Sequence, residues 1–146
     1  MEYRFTVEGN PVAQSRPRFS TRSGYVRTYE ERDITDYKNL IYAKASEVFI
    51  KNGCTMLNGA LEVEIKVGRA IPKSISKKAV KDIQKGLLFP TQKPDLDNYV
   101  KAVLDGIGLK GMPPVIFHND SQVVSIIAKK IFADNPNIEV TIKEVR

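Results

Sequence analysis

Tyr3, Phe5 and Val7 alternate with Arg4, Thr6 and Glu8. A period of two predicts a strand with one buried face, and Gly9-Asn10-Pro11 ends it. Residues 10–29 are rich in Arg, Ser, Gly and Pro and fit a basic loop or an irregular hairpin. Ile34, Tyr37, Leu40, Ile41, Val48 and Phe49 recur at helical spacing, which predicts a helix from about Asp33 to Asn52 with Gly53 as its stop. Leu61, Val63, Ile65 and Val67 alternate with Glu62, Glu64 and Lys66 as a second strand. After Pro72, Ser74 is placed to cap a short helix reaching Gly86. Its apolar side is Ile75, Ala79 and Ile83, and Lys77, Lys81 and Lys85 form a basic stripe. A further helix begins near Asp97 and ends near Gly106 or Gly108, with Leu96, Val100, Val103, Leu104 and Ile107 on its buried side. Val123 to Phe132 is apolar at nearly every position, which predicts a central strand buried on both faces. The turn at Asp134–Asn137 then leads to a last strand carrying Ile138, Val140 and Ile142, antiparallel to its predecessor.

These elements fit one α+β (α/β-type) domain over residues 1–146, a mixed sheet of about four strands packed with about three helices. No run of about 18 apolar residues exists to span a membrane. The first residues lack a basic segment leading into an apolar one, so the cytoplasm is the expected compartment. A single cysteine, Cys54, and a single histidine, His118, exclude an intrachain disulfide and a Cys/His zinc site.

The net charge of +6 favours a polyanionic partner, and its distribution sharpens this. Residues 9–29 carry Arg16, Arg18, Arg22 and Arg27 without an acid. Residues 65–94 carry Lys66, Arg69, Lys73, Lys77, Lys78, Lys81, Lys85 and Lys93 against Asp82 alone. Directly afterwards comes Lys93-Pro94-Asp95-Leu96-Asp97-Asn98-Tyr99-Val100-Lys101, with Asp105 one turn further on. Pro94 blocks helix before it, so Asp95 and Asp97 stand at a helix entrance, with Asn98, Lys101 and Asp105 along the polar side. One aspartate there is ordinary capping chemistry; two with a lysine partly facing them are less expected. A second acidic site, His118-Asn119-Asp120-Ser121-Gln122, precedes the long apolar strand and also reads as a turn. An EF-hand is excluded because Val100 and Gly106 occupy its Gly and Glu positions. The glycine-rich signatures of phosphate loops and dinucleotide sites are absent.

Lys93-Pro-Asp95-Leu-Asp97-Asn98-x-x-Lys101-x-x-x-Asp105, followed by Asn119-Asp120-Ser121-Gln122-Val123, resembles the RusA family of crossover junction endodeoxyribonucleases. Gly9-Asn-Pro11 and Arg16-Pro17-Arg18 are similar to that family's N-terminal basic segment. The resemblance implies a homodimer that uses Mg²⁺, with Mn²⁺ as a substitute, to cut four-way DNA junctions symmetrically in recombination and repair, in a phage or prophage setting. It implies Asp95, Asp97 and Asp120 as metal ligands and Lys101 as the catalytic lysine. The family often has two acids before the Gln; Asn119 replaces the first here, a change that bears on metal affinity. Asn98 either holds a ligand carboxylate or caps the helix, and Asp105 either orients Lys101 or ends the helix. His118 reads as a surface or packing residue. Arg16, Arg18, Lys73, Lys77, Lys81, Lys85 and Lys93 are the expected phosphate contacts, which gain free energy by counterion release. A junction has approximate two-fold symmetry, so a C₂ dimer with one catalytic set per subunit is expected, with the first helix or the last strands as the interface. The alternatives are a flap or fork nuclease, a branched-DNA-binding protein without catalysis, and an oligomeric structural protein.

Overall fold

The computed structural model describes residues 1–15, 18–20, 27–29 and 31–145. The elements run β1 (Glu2–Glu8), β2 (Arg18–Ser20), β3 (Arg27–Tyr29), α1 (Arg32–Lys51), β4 (Leu61–Ala70), α2 (Lys77–Gln84), α3 (Leu96–Ile107), β5 (Val123–Ala133) and β6 (Asn137–Glu144). A 3₁₀ turn, Asp120–Gln122, leads into β5. β2 and β3 form a small antiparallel pair of their own. The other four strands make one mixed sheet in the order β1-β6-β4-β5, with β4 and β5 parallel. This is the single α+β domain with one mixed sheet that the residue pattern predicts.

The alternation seen in the sequence becomes rows across this sheet. Tyr3, Ile142 and Val63 are in register, as are Phe5, Val140 and Ile65, and Val7, Ile138 and Val67. All nine are buried, because the period of two sends them to the face covered by α1 and α3. The opposite face carries the charged partners of the same strands. Lys143 meets Glu62 at 3.1 Å and Lys66 meets Glu139 at 3.6 Å. The hydrogen bond from Lys143, seconded by that from Ser125, holds the Glu62 carboxyl below its ordinary range.

Three expectations need correction. The short basic helix is capped by Ser76 rather than Ser74: its Oγ accepts from the Ala79 amide at 3.1 Å. Extended backbone therefore persists past Ile75. The last strand runs antiparallel to β5 as expected, but it lies between β1 and β4 and does not pair with β5. Most consequential, β5 is not a central strand. It is an edge strand that pairs with β4 alone among the described residues, leaving Val124 66%, Ile126 46% and Ile127 51% exposed. A continuous apolar run signals burial on both faces only when something covers both; α3 packs against part of β5 and Ala128 meets the core, yet Val124, Ile126 and Ile127 stay exposed in this chain.

α1 and α3 pack face to face across a glycine. A Cβ on Gly106 would lie 2.7 Å from both Cβ and Cγ2 of Ile41, closer than real carbon contacts come. Ile41 is fully buried and has nowhere to retreat. Gly106→Ala should therefore push the helices apart and cost about 1–3 kcal/mol, read as a lower midpoint in urea denaturation; an unchanged midpoint would contradict this packing.

Candidate active site

The parallel pair β4–β5 fixes where the acidic motifs fall. A parallel connection must cross back over the sheet, and here α2 and α3 make that crossing. α3 therefore starts near the C-terminal ends of β4 and β5 and finishes near their beginnings. Arg69 and Lys130, near those C-terminal ends, clamp the segment that enters α3. Arg69 Nη1 donates to the carbonyls of Gln92 and Lys93 at 3.0 and 3.1 Å, and Lys130 Nζ to those of Gln92 and Pro94 at 3.1 Å each. Two cations thus hold the backbone immediately before Asp95. Neither was singled out from the sequence as a site residue. The available signal was a lysine pair, Lys129-Lys130, interrupting an apolar strand.

Asp95 is the N-cap residue of α3, yet its side chain makes no capping hydrogen bond. Asp97 lies in the first turn, and both carboxylates are exposed. Cap satisfaction thus does not account for Asp95, which is exposed two residues before the exposed Asp97. Asn98 donates its backbone amide to the Asp95 carbonyl at 3.1 Å, and its own carbonyl accepts from the Gln14 amide at 2.9 Å. That last bond ties the segment after β1 to the acid-bearing turn. A cleft of about 390 Å³ lined by Asn10, Pro11, Asp33, Arg69, Pro94 and Tyr99 opens there. Burial raises the pKa of the Tyr99 hydroxyl and pushes that of Tyr37 far up.

Lys101 points towards the other end of the helix. Its Nζ is 3.6 Å from Asp105 Oδ2, and the same oxygen is 3.7 Å from Lys38 Nζ on α1. Lys101 is largely exposed, whereas Lys38 is buried at 7% exposure. Asp105 therefore does more than end a helix: it draws the two lysines together. The sequence offered a signal for Lys38, which occupies the apolar stripe Ile34, Lys38, Ile41 and Ala45 of α1.

Asp120 is reached by a different route. Gln122 pins its turn. Gln122 Oε1 accepts from the amides of His118 and Asn119 at 2.9 and 3.0 Å, and its Nε2 donates to the carbonyls of Leu57 and Gly59 at 2.9 and 3.1 Å. Asn119 caps the turn, its Oδ1 accepting from the Ser121 amide at 2.9 Å. An aspartate could accept the same bond, so the turn geometry does not depend on which of the two stands there. His118 is exposed and its Nε2 lies 3.2 Å from Asn58 Oδ1, in keeping with a surface role. Asp120 and Asp105 line one cleft of about 180 Å³ at the C-terminal end of α3.

The acids thus divide into two groups. Asp95 and Asp97 lie at the start of α3; Asp120 lies beside its end. The helix between Asp97 and Asp105 rises about 12 Å, and β5 between Val123 and Lys130 runs about 23 Å. A magnesium ion reaches its ligands at about 2.1 Å, so one ion cannot take all three carboxylates from a single chain in this arrangement. Among the described residues, no group of three acidic, histidine or cysteine side chains is placed to hold a metal. Asp95 and Asp97, by contrast, are hard, exposed oxygen donors of the kind Mg²⁺ takes through one or two carboxylates.

The basic residues are distributed unevenly. Lys73, Lys77, Lys81, Lys85 and Lys93 are all exposed. Ile75 and Ala79, at the base of α2, line an apolar cavity of about 320 Å³ with Phe132, Arg69 and Gln92. The lysine stripe is therefore seated at the Asp95 end of the sheet. Arg18 lies on β2, and Arg16 lies outside the described residues.

A small mixed sheet with acids at both ends of its crossover helix and an exposed basic helix is compatible with a nucleic-acid hydrolase, and comparison gives the chain a family. Residues 8–143 match the family model described as Endodeoxyribonuclease RusA, and the chain belongs to that family. It is 40% identical over 144 residues to the uncharacterized protein YqaN of Bacillus subtilis (strain 168), covering 97% of this chain and 96% of that protein. It is 25% identical over 150 residues to the crossover junction endodeoxyribonuclease rusA of Lactococcus phage r1t, covering 99% and 98%.

Removing the Asp105 charge tests the lysine-bridging arrangement. Asp105→Asn takes away the carboxylate that faces a buried ammonium. The loss should be about 2 kcal/mol, below the roughly 3–5 of a fully buried pair because this carboxylate is partly solvated. Calorimetry should show a fall in Tm of roughly 4–8 °C; an unaltered Tm would return Asp105 to a solvated helix end.

Proposed function

We propose that this protein is a Mg²⁺-dependent endonuclease that resolves four-way DNA junctions as a homodimer. Family membership supports cleavage of DNA, and the similarity to the phage enzyme supports the junction as substrate and a phage or prophage setting. The observation that carries the reading is the exposed pair Asp95 and Asp97, held by Arg69 and Lys130 at the end of the sheet where the lysine stripe is seated. The split between this pair and Asp120 favours a dimer. In a two-fold assembly, Asp120 of one subunit can complete the ligand set begun by Asp95 and Asp97 of the other.

A phosphodiester is an anion that repels hydroxide, so catalysis depends on positioning and on charge stabilisation. A bound Mg²⁺ would activate water and neutralise charge at the phosphate; Mn²⁺ offers the same hard-ligand chemistry. The chain's own part is to hold the substrate and to place a cation near it. Lys73, Lys77, Lys81, Lys85 and Lys93 bind backbone phosphates on the Asp95 side. Lys101, drawn by Asp105 towards the Asp120 end of α3, would supply a compact positive charge to the phosphate together with the Asp120 that the same chain lends to a shared site. Among the described residues no recognition helix is evident, so selection rests on the shape of the branched DNA.

The test is incision of a synthetic four-way junction beside linear duplex and flap controls, with and without Mg²⁺. Paired, symmetric cuts confined to the junction are expected. Asp95→Asn, Asp97→Asn or Asp120→Asn should abolish cutting by at least about a hundredfold, near 3 kcal/mol of barrier, while junction binding persists on the basic surface. Binding without cutting by the unaltered chain would make it a junction-binding protein, and preferential cutting of the flap would make it a flap nuclease.

A further inference from the structure

We infer that the cleft between α2 and the C-terminal ends of β4 and β5 receives a single unstacked nucleobase, and so anchors a DNA strand beside Asp95. This deepens the function proposed above and rests on that reading for its meaning, but base capture is measurable without any cutting.

The cleft is built by the segment that leads from β4 to α3. No residue of α2 is buried. Ile75, just before the helix, and Ala79, in its first turn, instead line a cavity of about 320 Å³ with Leu88, Phe89 and Phe132. Gly86, at φ +72°, ends the helix. Its amide donates to the Ile83 carbonyl at 3.0 Å and the Leu87 amide to the Asp82 carbonyl at 2.8 Å. This pair of bonds is the helix cap in which one left-handed residue reverses the chain, and Leu88 and Phe89 follow it into the lining. Phe89 nevertheless stays 50% exposed and Leu88 38%, so folding does not consume their apolar surface. The volume lies at the small end of the roughly 300–1,000 Å³ of pockets that take small ligands. It has room for one flat heterocycle rather than a length of peptide.

Charge selects the occupant. Arg69 is part of the lining, and Lys73, Lys77, Lys81 and Lys85 are exposed on the segment that builds the cleft. Asp82 is the one acid between residues 65 and 94. A neutral apolar partner gains nothing from that surplus. A DNA strand meets both halves of the surface, with rings for the apolar lining and phosphates for the lysines, the combination that grips single strands. Thr91 and Gln92 add a hydroxyl and an amide to the lining, partners for a base edge. Every base has a π-face, so capture tolerates any sequence. Duplex bases are stacked and paired, so the cleft takes a base only where strands part, as at a branch point. The position connects this cleft to the acids. Arg69 and Lys130 both hold the Gln92 carbonyl, and Asp95 follows three residues later, at most about 11 Å of chain. Phosphates repeat about every 3.4 Å along a stacked strand. A captured base therefore sets a phosphate within about three nucleotides of Asp95 and Asp97.

Fluorescence anisotropy in EDTA, on the full chain, tests this with two labelled probes of equal length. One is oligothymidylate; the other carries an abasic residue at every position, so the phosphates match and only the bases differ. The unaltered chain should bind oligothymidylate about tenfold more tightly. Phe89→Ala removes the half-exposed ring and Ala79→Leu narrows the cavity. Each should lose most of that preference while binding the abasic strand as the unaltered chain does. Leu87→Ala, at a residue 69% exposed and outside the lining, should keep the preference. Equal affinity of the unaltered chain for the two probes, a full preference in Phe89→Ala, or an equal loss in Leu87→Ala would overturn the inference. Junction incision is scored separately. A chain with the expected preference that cuts no DNA keeps the base cleft and removes the nuclease reading; a chain that cuts junctions without the preference does the reverse.

Discussion

The parallel pairing of β4 with β5 governs where everything else in this molecule can be. Two parallel neighbours cannot be joined by a tight turn, so the chain must leave the top of β4, cross, and re-enter at the bottom of β5. α3 is the returning limb of that crossing and runs against β5. A motif at its start and a motif just after its end are therefore sent to opposite ends of one strand. Asp95 and Asp97 lie close to Asp120 in sequence, and this topology separates them in space. Within one chain in this arrangement, no single ion reaches all three.

The same pairing explains how the acid-bearing turn is held. Arg69 and Lys130 reach the segment before Asp95 because β4 and β5 end side by side. The Gln14 amide anchors the far side of that turn through Asn98. The carboxylates are exposed while the backbone beneath them is fixed from several directions. Asp120 sits on an equally well fastened support, since all four hydrogen-bonding capacities of the Gln122 amide are used.

Much of this was legible in the residues. The alternation in β1, β4 and β6 gave the buried rows directly, because a strand's side-chain period allows only one assignment to each face. The acidic motifs and the basic stripe were visible because their residue types and spacing are unusual together. What the sequence could not convey was neighbourhood. Nothing local distinguishes an apolar strand paired on both sides from one left at the edge of a sheet, and β5 was misplaced for that reason. Lys38, Arg69 and Lys130 act through partners distant in sequence, and their contacts exist only once α1 packs on α3 and β4 pairs with β5. Asp105 could be given a bridging role only when Lys38 was found beside it.

If Asp95, Asp97 and Asp120 act together only across two chains, as proposed, mixing inactive subunits shows it most directly. Asp97→Asn and Asp120→Asn chains are each prepared alone, then combined, exchanged and given a four-way junction with Mg²⁺. Each variant alone should be inert. In the mixture, a heterodimer carries one site with Asp95 and Asp97 from one chain and Asp120 from the other, all intact, so strand nicking should reappear without paired resolution. A mixture whose subunits have exchanged and which stays as inert as its components would mean that each site is built within a single chain, and would contradict this account.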